Sequence, residues 1–192
     1  NITAQASKCV DVHYALKYKL DRVTLECLYV AFVRSKIEYS SIVWDNCTTD
    51  QQNQLEQVQY RAGKVVSGAI HRTSKELVYS ELGWPSLADR RRSQRLTVFH
   101  KTVNGKAPQY LQDAIPTTNP SRENLRNASD IPKIRGMVFY EKTFIPKTIT
   151  EWNSLDNQIK SVKSSDTFAQ KIKNPTNVPL WFIRGARATN IW

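Results

Sequence analysis

The chain has 192 residues, enough for one ordinary domain or a domain with a tail, and a hydrophobic fraction of 40% that can supply a core. Its 28 Lys and Arg against 17 Asp and Glu leave a formal charge of +11, which favours a polyanionic partner, nucleic acid being the commonest. No apolar run approaches the roughly 20 residues that span a bilayer, no signal peptide is visible, and Cys9, Cys27 and Cys47 give neither a disulfide framework nor a zinc knuckle. A membrane or disulfide-stapled secreted protein is therefore set aside, and an intracellular chain with reduced thiols is expected.

The first residue is Asn1 rather than Met, so a processed product or a piece of a longer reading frame is expected. Residues 2–20 read as an amphipathic helix with Ala6, Cys9, Val10, Leu16 and Leu20 on its apolar side. Asp21 introduces a second helix, in which Val23, Leu25, Cys27, Leu28, Val30, Phe32 and Val33 point nearly all round and suggest burial. Ile37 to Trp44 continues it or follows a bend. Thr49 or Asp50 caps the next helix, whose stripe is Leu55, Val58, Ala62, Val65 and Val66, with Gln57, Arg61 and Lys64 off the stripe and Gly68 as its stop. Thr73 with Glu76 reads as a capping box for a short helix ending at Gly83.

Ser86 with Asp89 opens the next helix, which runs to Asn104-Gly105 and carries four arginines in six positions, Arg90 to Arg95. A short helix follows from Pro108 to Ile115. Residues 116–130 are polar and turn-rich, a loop or linker. Met137, Phe139 and Tyr140 lie in a strand-like segment, with a short β hairpin allowed near 131–142. Thr143 to Leu155 fits a helix entered through Pro146, and Ser164 or Ser165 opens a last one with Phe168 and Ile172. The expected fold is mainly α, an irregular multi-helix bundle. It comprises a helical domain at 1–115, the linker at 116–130, a helical segment at 131–174 packed on the first, and a loosely ordered tail at 175–192.

Two readings of the arginine helix compete: a comb for phosphates, or a set of internal ion pairs. At about 100° per residue, Arg91, Arg95 and Arg92 fall inside the arc of Leu87, Val98, Phe99 and Leu96, whereas Arg90 and Lys101 fall outside it. A desolvated arginine needs a partner. Arg91 and Arg95 are thus expected to be structural, with Glu38, Glu56, Glu76 and Glu81 as open candidates for the carboxylates. Tyr39, Trp44 and Trp152 are read as core aromatics rather than base-stacking rings, and Asn153 as bonding nearby backbone.

The sequence holds no Gly-rich phosphate loop, His-Glu-x-x-His, nucleophile elbow or clustered aspartate pair. No catalytic residue and no metal ligand is expected.

Several segments nevertheless recur in a known order. They are Leu28-Tyr29, then Val33-Arg34-Ser35-Lys36-Ile37-Glu38-Tyr39-Ser40-Ser41-Ile42-Val43-Trp44, then Leu55-Glu56-Gln57-Val58-Gln59-Tyr60-Arg61-Ala62. Next come Leu82-Gly83-Trp84-Pro85-Ser86-Leu87 with Arg90-Arg91, Leu96 and Lys101. Last are Tyr140, Phe144, Pro146, Lys147, Thr148, Ile149 and Trp152-Asn153-Ser154-Leu155. Together, from about residue 10 to 172, they resemble the region after the polymerase core in non-LTR, LINE-type retrotransposon reverse transcriptases of the jockey-like group.

The resemblance implies a parent RNA-directed DNA polymerase that uses Mg2+, nicks target DNA and primes synthesis from the nick. The parent's palm motif, Tyr/Phe-Ala-Asp-Asp, does not occur here, nor does the cysteine-histidine knuckle of some relatives. This chain would be a non-catalytic region needing no cofactor of its own. Its partners would be RNA, DNA and the upstream polymerase domain, with a nuclear location at integration. The cations expected to touch phosphate are Arg61, Lys64, Arg90, Lys101, Lys106 and Lys147. The alternatives are a module that docks on the polymerase core without a nucleic-acid role, and a decayed relic.

Overall fold

The computed structural model describes residues 2–116 and 130–173, and these are mainly helical, with no strand among the described residues. Expectations for 117–129 and for the tail at 175–192 lie outside the described residues. The chain divides into two compact units, Asn1–Arg92 and Ser93–Trp192, each with its own core. The boundary falls inside a helix and not at the polar stretch 116–130. The reason is that Leu96 and Phe99, in the second half of that helix, share a core with Ile131, Ile149, Trp152, Ile159 and Phe168.

In the first unit, α1 (Ile2–Leu16) buries Ala6, Val10 and His13. Asp21 caps α2 (Arg22–Leu28) by accepting from the Thr24 amide at 3.3 Å. A π-helical segment (Tyr29–Arg34) and α3 (Ser35–Glu38) continue it without a break. The expected all-round burial is not found: Leu25, Tyr29, Val33 and Ile37 are buried, while Val23, Cys27 and Phe32 are exposed. Residues four apart drift by about 40° per step on an α-helix. The wider i→i+5 turn takes up that drift, so the four side chains stay in line over three steps.

Ser40, in the left-handed region at φ 50, breaks the chain before α4 (Ser41–Trp44). α5 (Thr49–Ser67) is capped by Thr48, one residue before the expected position, because Thr48 and Gln51 exchange side-chain bonds with each other's backbone amides. It buries Leu55, Val58, Ala62, Val65 and Val66 as expected, together with Gln59 and Gly63. A Cβ on Gly63 would lie 2.8 Å from Val78 Cγ1, so a glycine is what lets α5 approach α6 (Lys75–Leu82). The α6 cap is Ser74 rather than Thr73.

The Leu82-to-Leu87 segment is tied to α2 and α5. Trp84 stacks on Tyr29 at 4.0 Å between centroids and donates through Nε1 to Glu26. The Tyr29 hydroxyl donates to Gln59 Oε1, Gln59 Nε2 donates to the Pro85 carbonyl, and Glu56 accepts from the Tyr79 hydroxyl and the Leu87 amide. The segments that carry the family resemblance in this unit are thus a packing node.

α7 (Leu87–Val103) begins in the first unit and ends in the second. Ser86 caps it, accepting from the Asp89 amide and donating to the Asp89 carboxylate. Gly105, at φ 68, closes it. In the second unit α8 (Gln109–Asp113), α9 (Val138–Glu141), α10 (Phe144–Asn153), α11 (Asn157–Lys160) and α12 (Ser165–Lys173) follow. Phe99, Trp152, Phe168 and His100 form an aromatic cluster, with His100 stacked on Phe168 at 4.2 Å.

The hairpin expected near 131–142 does not form. Residues 131–137 run without strand pairing, and α9 follows. The Asn153 side chain occupies the Ile131 backbone instead, accepting from its amide at 3.1 Å and donating to its carbonyl at 2.8 Å. A side-chain amide thus supplies the pair of bonds that a second strand would have given, and its target lies 22 residues away rather than nearby.

Candidate nucleic-acid interface

The arginines of α7 have different roles. Arg91 is buried: its Nε donates to Asp45 Oδ1 at 3.0 Å with side chains only 5% and 6% exposed, Nη2 reaches Gln52, and the guanidinium lies 5.6 Å from the Trp44 ring. Arg95, also buried, donates from Nη2 to Glu151 Oε1 at 2.6 Å. The carboxylates these two meet are Asp45 and Glu151, outside the four that the sequence singled out. Arg90 makes a two-pronged pair with Glu38 through Nε and Nη2. That pair holds the Arg90 guanidinium above its ordinary pKa, first through the Glu38 hydrogen bond. Arg92, placed inside the apolar arc by the wheel, is exposed. The angular reading left Arg90 free for phosphate because it holds no information about Glu38, carried by another helix.

Arg61 and Lys64, on α5, do meet. With Val10, Asp11, Tyr14, Lys17, Tyr18, Val65, Gly68, Ala69 and His71 they line a groove of about 610 Å3 within the first unit. Arg61 Nη2 donates to Asp11 Oδ1 at 2.7 Å, an exposed pair. Lys64 Nζ sits 4.5 Å from the Tyr60 ring. Lys17 Nζ lies over two rings, 4.1 Å from the Tyr14 centroid and 4.5 Å from that of Tyr18. Contact with Tyr18, then with Tyr14, pushes the Lys17 ammonium above its usual pKa.

Three cations therefore face one carboxylate in a concave surface. The C-terminal turns of α1 and α5 meet here, so their carbonyl ends favour the lysines themselves. Attraction for an anion comes from the side chains alone.

The remaining expected contacts lie elsewhere. Lys101 is exposed in the last turn of α7, Lys106 donates to the Lys163 carbonyl at 3.1 Å, and Lys147 is half-buried on α10; all three belong to the second unit. Tyr39, read as a core aromatic, is 75% exposed and gives its carbonyl to Trp44 Nε1, because the bend at Ser40 turns it off the helix. Trp44 packs on the edge of the first core and Trp152 lies inside the second. Sequence reasoning missed Tyr14, Lys17, Tyr18, His71 and Asp11. Their signal was present in Tyr14-x-x-Lys17-Tyr18, which projects beside the apolar stripe of α1, but nothing in the sequence joins that face to α5.

Among the described residues no three of His, Cys, Asp and Glu gather to hold a metal ion. Among the described residues no helix is long and apolar enough to cross a membrane. Comparison with known protein families, with curated proteins and with solved structures gives no match.

Proposed function

We propose that this chain is the nucleic-acid-binding region that follows the polymerase core of a non-LTR retrotransposon reverse transcriptase. It holds template RNA or target DNA by phosphate contacts during target-primed reverse transcription, in the nucleus, and leaves catalysis and magnesium to the upstream polymerase domain. The observation that carries the binding claim is the groove in which Lys17, Arg61 and Lys64 converge; the ordered motifs of the sequence support the parentage. Arg90 drops out of the contact set because Glu38 occupies its guanidinium. Lys101 and Lys106, both exposed, remain as further candidates on the other unit.

The test is fluorescence anisotropy with labelled single-stranded RNA and mixed-sequence duplex DNA at low salt. Binding that weakens steadily as salt rises is expected. Undetectable binding to both at low salt defeats the reading. A second reading, a module that docks on the polymerase domain, is favoured by the exposed Met137, Val138 and Phe139 around α9. That reading expects self-association of the isolated chain, relieved by Phe139→Ser, with nucleic-acid binding absent.

A further inference from the structure

The groove has a feature that phosphate binding alone does not need. Tyr14 and Tyr18 are 61% and 87% exposed, large rings left in water at the rim of a cationic surface. Tyr14 lies in the last turn of α1 and Tyr18 in the turn that follows it, and their rings are close enough for the single Lys17 ammonium to lie over both. A duplex offers such rings nothing, since each of its base faces is covered by a neighbour. A single strand offers unstacked faces, and stacking on an aromatic ring is indifferent to base identity.

Resting on the nucleic-acid reading above, we propose that this groove takes single-stranded nucleic acid, with bases stacked on Tyr14 and Tyr18 and the backbone between Lys17, Arg61 and Lys64. Lys17 has two states in this arrangement. Without ligand its ammonium covers both rings; with a strand in place it leaves them for phosphate and exposes the faces that the bases take. Arg61 is likewise held ready by Asp11, an exposed pair that costs little to share with a phosphate. The groove contains one carboxylate against three cations, and neither tyrosine is part of the buried core, so replacing the rings leaves the fold intact.

The test compares the full chain with a Tyr14→Leu/Tyr18→Leu variant, using labelled oligo(dT), oligo(rU) and a blunt duplex of equal charge, with circular dichroism to verify the helices. Single strands are expected to bind the parent chain roughly tenfold or more tighter than the duplex, and the double variant to lose at least roughly tenfold on both single strands while its duplex affinity stays within about twofold. Equal loss on oligo(dT) and oligo(rU) fits recognition of stacked bases and backbone; loss on oligo(rU) alone would assign the rings to RNA. Unchanged single-strand affinity in the double variant overturns the proposal while leaving phosphate binding standing. No binding to any of the three probes overturns both.

Discussion

Asp45 and Arg91 carry a large share of the first unit's sensitivity to change. Both are buried, and removing one partner takes the ion pair away from the other buried charge, at a cost of about 3–5 kcal/mol. Arg91→Met is expected to lower stability by that order in urea denaturation. Adding Asp45→Leu is expected to restore most of it, because two apolar groups then fill the space of a desolvated pair. A double variant no better than the single would mean that Gln52 and Trp44, rather than Asp45, hold this guanidinium in place.

The buried tyrosines give a second residue-scale signature. Burial, then Glu38, pushes the Tyr29 hydroxyl above its usual range, and burial, then Glu56, does the same for Tyr79. With the folded pKa raised above the unfolded value of about 10, their contribution is complete below pH 10 and is lost as pH climbs past it. Unfolding monitored against pH is expected to show stability falling steeply above pH 10, and less steeply in a Tyr29→Phe/Tyr79→Phe variant. The same slope in both would place the alkaline transition elsewhere.

Helices show best where the sequence is informative and where it is not. The α5 stripe and the Gly68 stop were readable because apolar spacing and a positive-φ glycine depend only on neighbours in the chain. The caps of α5 and α6 were each misplaced, since Thr48, Thr49, Thr73 and Ser74 offer the same hydroxyl at adjacent positions and only geometry chooses. The π-helical segment was hidden because its i, i+4, i+8, i+12 stripe resembles a crowded α-helix. That segment can be tested by shortening it. Deleting the exposed Ala31 changes the spacing of Leu25, Tyr29, Val33 and Ile37 to i, i+4, i+7, i+11, which suits an unbroken α-helix. The deletion is expected to keep helix content and cost at most about 1 kcal/mol, whereas deleting Gln57 from α5 throws its stripe out of phase and unfolds the unit. Equal damage from both deletions would mean that the wide turn is required for more than alignment.

At the scale of the whole molecule, the sequence carries 28 basic against 17 acidic side chains. Much of the arginine in α7 is consumed internally by Asp45, Glu38 and Glu151, so the densest run of positive charge in the sequence is a poor guide to a partner. The groove of Lys17, Arg61 and Lys64 is assembled from α1, the turn after it and α5, and half of it was invisible in sequence because it depends on a tertiary contact. The motifs that resemble a reverse transcriptase are largely those that pack, as Trp84 on Tyr29 and Asn153 on Ile131 show.

The central claim, that this groove neutralises phosphates, is tested most directly by the salt dependence of binding to a single-stranded oligonucleotide. Each contact contributes a slope of about −0.7 in log affinity against log salt. A Lys17→Ala/Arg61→Ala/Lys64→Ala variant is expected to bind roughly tenfold or more weakly at low salt, with a slope shallower by about 2. A triple variant with the parent chain's affinity and slope would contradict the account.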